Sequence, residues 1–304
     1  MPDSPAIPND FLPGSYTPRF TRVFSWWVEK MFRKAFCAVR IAQATDSTLA
    51  QAHEVSGPVI VVLNHIGWWD PLLSVLLARR YVPTRSVAAP MDIAQLRKFA
   101  FMRKLGIFGV NPENPGSLQA MSDYVLNDFR TATKPTLWIT PQGTFADPRA
   151  SIRLRPGVAA IAARASSERL PVRIISIAFE YAFWIDKRPE VLCRIEPCDP
   201  AQDSTPATSQ PSDGSAPAPL STADWHRAIT RTMEHNAAEL ASLVIARDPS
   251  AFDAILGGGA SGANALHNLW LRLRGVENRG LDVRQGARDI ARGSSGSRVS
   301  GVRS

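Results

Sequence analysis

The sequence predicts an α/β fold: a β-sheet with helices on both faces, and an amphipathic helix on its N-terminal side. Three observations predict it. Short β-branched apolar runs alternate with stretches of helical period along the chain. The apolar runs are continuous, as in strands covered on both faces. The chain has 304 residues, 45% hydrophobic and 20% charged, which is enough for one sizeable core.

Taken in order, residues 1–17 are proline-rich without periodicity and read as a flexible arm. Pro18 to about Gln43 reads as a helix. Phe20, Val23, Phe24, Trp27, Met31, Ala35 and Ala38 form one stripe, and Arg19, Arg22, Lys30, Arg33 and Arg40 gather on much of the other side. Trp26, Phe32 and Phe36 fall off the stripe, so residues 18–50 are expected to form a membrane-surface region.

The body, residues 51–198, begins with strand Val59–Leu63, helix Pro71–Arg80 and a strand near Arg85–Ala89. Helix Ile93–Lys104, strand Ile107–Val110, helix Ser117–Phe129 and strand Thr136–Ile139 follow, then helix Pro156–Ala165 and strands Arg173–Phe179 and Val191–Ile195. Residues 199–222 are low-complexity Pro/Ser/Ala, a linker. Residues 223–275 form a C-terminal helical region whose helix starts at Asp224. Residues 276–304 read as a basic flexible tail.

Net charge is +8, concentrated at the two ends. Six basic residues face only Glu29 between Arg19 and Arg40, and eight arginines face three acids from Arg272 onward. This basic rim suits an anionic membrane surface; no nucleic-acid module accompanies it, so nucleic acid is not an expected partner. Cys37, Cys193 and Cys198 fit neither a metal template nor a disulfide framework. The five histidines offer no close ligand pair either, and no metal or cofactor is expected. The first ten residues lack the order of a signal peptide, and the longest apolar stretch, Ile174–Ile185, is broken by Glu180. A peripheral place on the cytoplasmic face of a membrane is the expectation.

The chemistry concentrates in NHIGWWDP, Asn64–Pro71, in the connection between a buried strand and a helix. Asp70 and Pro71 suit the N-cap and first position of that helix. A turn of this kind allows His65 and Asp70 to converge. The carboxylate then fixes the imidazole tautomer and supports the charge it gains on taking a proton. With no Ser or Cys beside His65, the nucleophile expected is the substrate's own hydroxyl.

NHIGWWD resembles the Asn-His-(four residues)-Asp signature of the glycerolipid and lysophospholipid acyltransferases. Three further segments resemble that family's motifs in order: KLGIFGVNPENPGSL (Lys104–Leu118), WITPQGTFADPR with RLRPGVA (Trp138–Ala159), and LPVRIISIAF (Leu170–Phe179). The resemblance, over roughly residues 50–200, implies a mixed β-sheet flanked by helices and transfer of a fatty acyl group from a thioester to a lipid hydroxyl. The donor would be acyl-CoA or acyl-carrier protein, and the acceptor a lysophospholipid, glycolipid or lipid alcohol. His65 becomes the base and Asp70 its orienting partner. Asn64 and Gly67 shape the turn, while Gly143 and Thr144 offer a backbone N–H and a hydroxyl near the acceptor or the oxyanion.

The chain also departs from the family. Pro112 and Glu113 stand where an Arg for the acceptor's phosphate is usual, Gln142 stands where Glu is usual, and Phe145 where a basic residue is frequent. Arg149, Arg153 or Arg155 are candidates to supply the missing cation. Gln142 can hydrogen-bond in the substrate site but cannot act as a base. The alternative reading is a catalytically inactive lipid-binding protein at the membrane surface.

Overall fold

The computed structural model describes residues 10–184, 188–200 and 219–258. Strand β3 (Val59–Leu63) lies in the middle of the sheet, with β6 (Pro135–Ile139) and β7 (Arg173–Ala182) parallel on either side. β6 is followed outward by β4 (Ser86–Asp92) and β5 (Ile107–Val110), both parallel, and then by antiparallel β1 (Phe11–Leu12). On the other side β7 pairs antiparallel with β8 (Glu190–Cys198). Beyond it lie β2 (Ala38–Ala42), parallel to β8, and antiparallel β9 (Phe252–Gly257). Nine strands thus form one mixed sheet among the described residues.

All five residues of β3 are buried because helices cover both faces. Ile60 and Val62 pack with α5 (Pro115–Thr131), α6 (Gly157–Ser167) and α7 (Thr222–Ala246). Val59, Val61 and Leu63 pack on the opposite side with α1 (Pro18–Ala35), α2 (Ser47–Glu54) and α3 (Asp70–Tyr81). Because β3, β4, β5, β6 and β7 share one direction, their C-terminal ends open on a single edge of the sheet, where open α/β sheets bind ligands.

Several expected elements differ. The N-terminal helix stops at Ala35, not near Gln43, because Ala38–Ala42 is a fully buried strand held against Val191–Cys193. Arg40, expected on a basic helix face, is buried and donates to Glu190 at 2.5 Å. The face of α1 that docks is Ser25, Val28 and Phe32; Val23 and Trp27 from the expected stripe are exposed, as is Trp26. The stretch Ile93–Lys104 divides into α4 (Ile93–Lys98) and a 3-10 turn (Ala100–Leu105) ending at Gly106 with φ 89°. Three of the expected segment boundaries cross this sheet. β1 (Phe11–Leu12) of the arm, β2 from the 18–50 region and β9 from the 223–275 region all belong to it. Residues 201–218, most of the expected linker, and the tail 276–304 lie outside the described residues.

Candidate active site

His65 follows β3 by two residues in the turn into α3, half-buried at the open edge. Its Nδ1 lies 2.7 Å from Asp70 Oδ2. The same oxygen accepts from the Ile66 N–H at 2.7 Å and the Gly67 N–H at 2.9 Å. The Tyr181 hydroxyl donates to the other oxygen, Oδ1, at 2.9 Å. Asp70 is 1% exposed, so burying its charge depends on these four partners. It lies inside the helix with Trp69 as the N-cap, and its side chain ties back to the turn. The expected N-cap role is therefore replaced by one in which the carboxylate organises residues 65–67.

A segment 77 residues away fixes the rest of the turn. Gln142 Oε1 accepts from the His65 N–H at 2.9 Å, and the Ala146 N–H donates to the His65 carbonyl at 2.8 Å. Asn64 is buried and bridges to β7: its amide donates to the Phe179 carbonyl at 2.9 Å and accepts from the Phe179 N–H at 3.0 Å. With Nδ1 committed to Asp70, Nε2 is the ring nitrogen left for proton transfer. His65 lines a groove of about 1060 Å³ whose walls include Val75, Val87, Ala89 and Met91. The Phe145 ring lies over the imidazole at a centroid distance of 4.4 Å.

The remaining candidates separate into scaffold and groove. Gly67 has open space where a Cβ would stand, so its contribution is its N–H, not its conformational freedom. Gly143 is the opposite case: its φ is 70°, and a Cβ there would come within 2.7 Å of Arg155 Nε. Its N–H donates to the Thr140 carbonyl at 3.1 Å, closing a turn, so it does not serve as the expected oxyanion donor. Thr144 is exposed beside it. Arg149 forks onto the buried carboxylate of Glu180, with Nη2 3.0 Å from Oε2 and Nε 3.4 Å from Oε1, which removes it from the substrate candidates. Arg155 lines the groove with its side chain 47% exposed, and its Nη1 is 3.7 Å from Glu113.

Arg85 also borders the groove but spends its guanidinium on four backbone carbonyls and the Thr136 hydroxyl. Burial pulls its pKa down to about 10, still high enough to keep it charged near neutrality.

Residues 41–180 match the family model described as Acyltransferase, a span that contains all four sequence motifs. By that match the chain carries an acyltransferase domain. Its activity class is acyl transfer, which needs an acyl donor and an acceptor. Its fold is also similar to the crystal structure of the 1-acyl-sn-glycerophosphate (LPA) acyltransferase PlsC from Thermotoga maritima. That match has 16% identity, covers 75% of this chain and 81% of that one, and has a TM-score of 0.47. No curated protein matches.

Sequence reasoning missed one partner of this turn, Tyr181, and did not pair Arg149 with Glu180. Tyr181 and Glu180 sit at the far end of β7, beyond the last motif. Their signal was a Glu-Tyr at the end of an apolar strand, which gains meaning only once β7 is known to lie beside β3.

Proposed function

We propose that His65 is the general base and Asp70 its orienting partner in acyl transfer from a thioester to the hydroxyl of a lipid. The observation that carries this reading is the 2.7 Å contact between His65 Nδ1 and Asp70 Oδ2 at the wall of a largely apolar groove. In this reading Nε2 takes the proton of the acceptor hydroxyl as its oxygen attacks the thioester carbonyl. The imidazolium then returns that proton to the departing thiolate. Asp70 supports the transient charge and holds the tautomer. The acyl chain follows the apolar wall past Val75 and Met91, and Arg155 is the cation nearest the loop that carries Gly143.

The acceptor we favour is a lipid alcohol or glycolipid with little negative charge, rather than a phosphomonoester. Arg149 is committed to Glu180, Arg155 faces Glu113, and Phe145 stands over His65 where a cation is frequent in the family. The donor is acyl-CoA or acyl-carrier protein.

We further assign a peripheral place on the cytoplasmic face of an anionic membrane. Val23, Trp26 and Trp27 are exposed on α1 among Arg19, Arg22 and Lys30, and Lys30 lies 5.6 Å from the Trp26 ring. Phe99 and Phe101 extend the apolar surface beside it, Phe101 in contact with Phe20 and Phe24. Among the described residues no helix is long and apolar enough to cross a membrane.

The test is thiol release from acyl-CoA or acyl-carrier protein in anionic vesicles. Wild type and His65→Ala are compared with lysophosphatidate, other lysophospholipids, glycolipids and neutral lipid alcohols as acceptors. Release that needs both an acceptor and His65 supports the mechanism. Transfer that persists in His65→Ala overturns it, and a strong preference for lysophosphatidate overturns the acceptor assignment.

A further inference from the structure

We propose that Tyr181 is a positioning residue of the dyad: its hydroxyl, acting through Asp70, limits how strongly His65 holds a proton. This inference rests on the reading of His65 as the base. The two carboxylate oxygens of Asp70 are used differently. Oδ2 serves His65 and two backbone N–H groups of the turn, while Oδ1 receives the Tyr181 hydroxyl at 2.9 Å. The backbone donors are fixed by the turn itself. Tyr181 alone comes from another element, and its register explains the reach: Leu63 pairs with Ile177, and Tyr181 lies four residues further along β7 at the open edge.

The phenol is a donor that does not switch off. Burial pushes its pKa far above the ordinary tyrosine range, and the nearby Asp70 charge and the hydrogen bond to it add to the effect. The ring stacks on Phe36, next to the end of α1, at 5.6 Å, and meets Phe179 of its own strand at 5.9 Å. The titratable groups that act on it are Asp70, at the start of α3, and the Cys193 thiol of β8, itself held neutral by complete burial. Around His65, Asp70 is the charged partner and Phe145 the aromatic neighbour. Two further charged pairs are Arg149–Glu180, with Glu180 on β7, and Arg155 with Glu113 across the groove.

A donor on Oδ1 draws negative charge away from Oδ2, so the carboxylate stabilises an imidazolium less than it otherwise would. Tyr181 therefore keeps the His65 base unprotonated to a lower pH than Asp70 alone would allow, while still helping to fix the carboxylate's rotation.

The experiment is Tyr181→Phe, which keeps the ring and its stacking. Imidazole signals of histidine-labelled protein are followed against pH, with the His65 resonance assigned by its loss in His65→Gln. The acid limb of kcat/KM is recorded in parallel. We expect the His65 titration and the acid limb both to move to higher pH by roughly 0.5–1 unit. A titration that stays in place or moves down overturns the proposal, even if activity falls uniformly at every pH, because loosened packing alone gives that pattern. The resonance needs no substrate, so this outcome is read independently of whether the general-base mechanism holds. If the resonance moves while the acid limb does not, the coupling stands and the assignment of His65 as base fails instead.

Discussion

The two sides of the groove are built in contrasting ways. On the side of the dyad the polar groups other than His65 Nε2 are tied down: His65 is held at Nδ1, N–H and carbonyl, and Asp70 accepts from four donors while 1% exposed. Across the groove, Arg155 and Glu113 approach only to 3.7 Å, with side chains 47% and 82% exposed. The proposed proton transfer needs a fixed distance and tautomer, and the residues assigned to it are tied to β3, to β7 and to the loop after β6. The proposed recognition of an acceptor needs only the right charge and shape near the mouth. The sequence departs from the motifs it resembles at Pro112 and Glu113 there, while keeping His65 and Asp70.

Five substitutions break or sharpen this contrast. His65→Ala is expected to lower kcat/KM by about 10²–10⁴-fold with unchanged folding, measured as thiol release beside a thermal melt. Arg149→Ala is expected to act through stability, because it leaves the Glu180 carboxylate buried without its cation. The loss is about 1–3 kcal/mol, read as a lower Tm and denaturant midpoint. Phe145→Arg places a cation over the half-buried imidazole at the mouth. It is expected to improve kcat/KM for a phosphomonoester acceptor by about tenfold relative to a neutral one, in a competition assay between the two. The smallest effects separate the two glycines. Gly143→Ala forces a Cβ toward Arg155 at a φ of 70° and should cost about 1–2 kcal/mol, while Gly67→Ala should stay within about 0.5 kcal/mol.

How much was legible differs along the chain in the same way. Val59–Leu63 was readable to the residue, since five consecutive β-branched and aliphatic side chains bounded by polar turns leave little choice. The N-terminal helix was overextended because Ala38–Ala42 carries apolar residues that continue a helical stripe as readily as a strand. Pairing with Val191–Cys193 and Phe252–Gly257 decides between them, and those partners lie more than 140 residues away. Arg40 misled for the same reason, since its partner Glu190 arrives only when β8 is in place. Gln142 was assigned to the substrate site and instead holds the His65 backbone. Arg149 was assigned to a phosphate and instead neutralises Glu180.

By itself the sequence determined the alternating α/β organisation, the family resemblance, and the pairing of His65 with Asp70. These are set by periodicity and by residues within one turn of each other, where chain connectivity brings the groups together. The tertiary structure alone decided what surrounds that pair: Tyr181 on Asp70, Gln142 and Ala146 on the His65 backbone, and Phe145 over its ring. Those contacts depend on parallel strands aligning their C-terminal ends on one edge. The alignment is fixed by hydrogen-bond register and two-sided burial, which no local stretch of sequence carries.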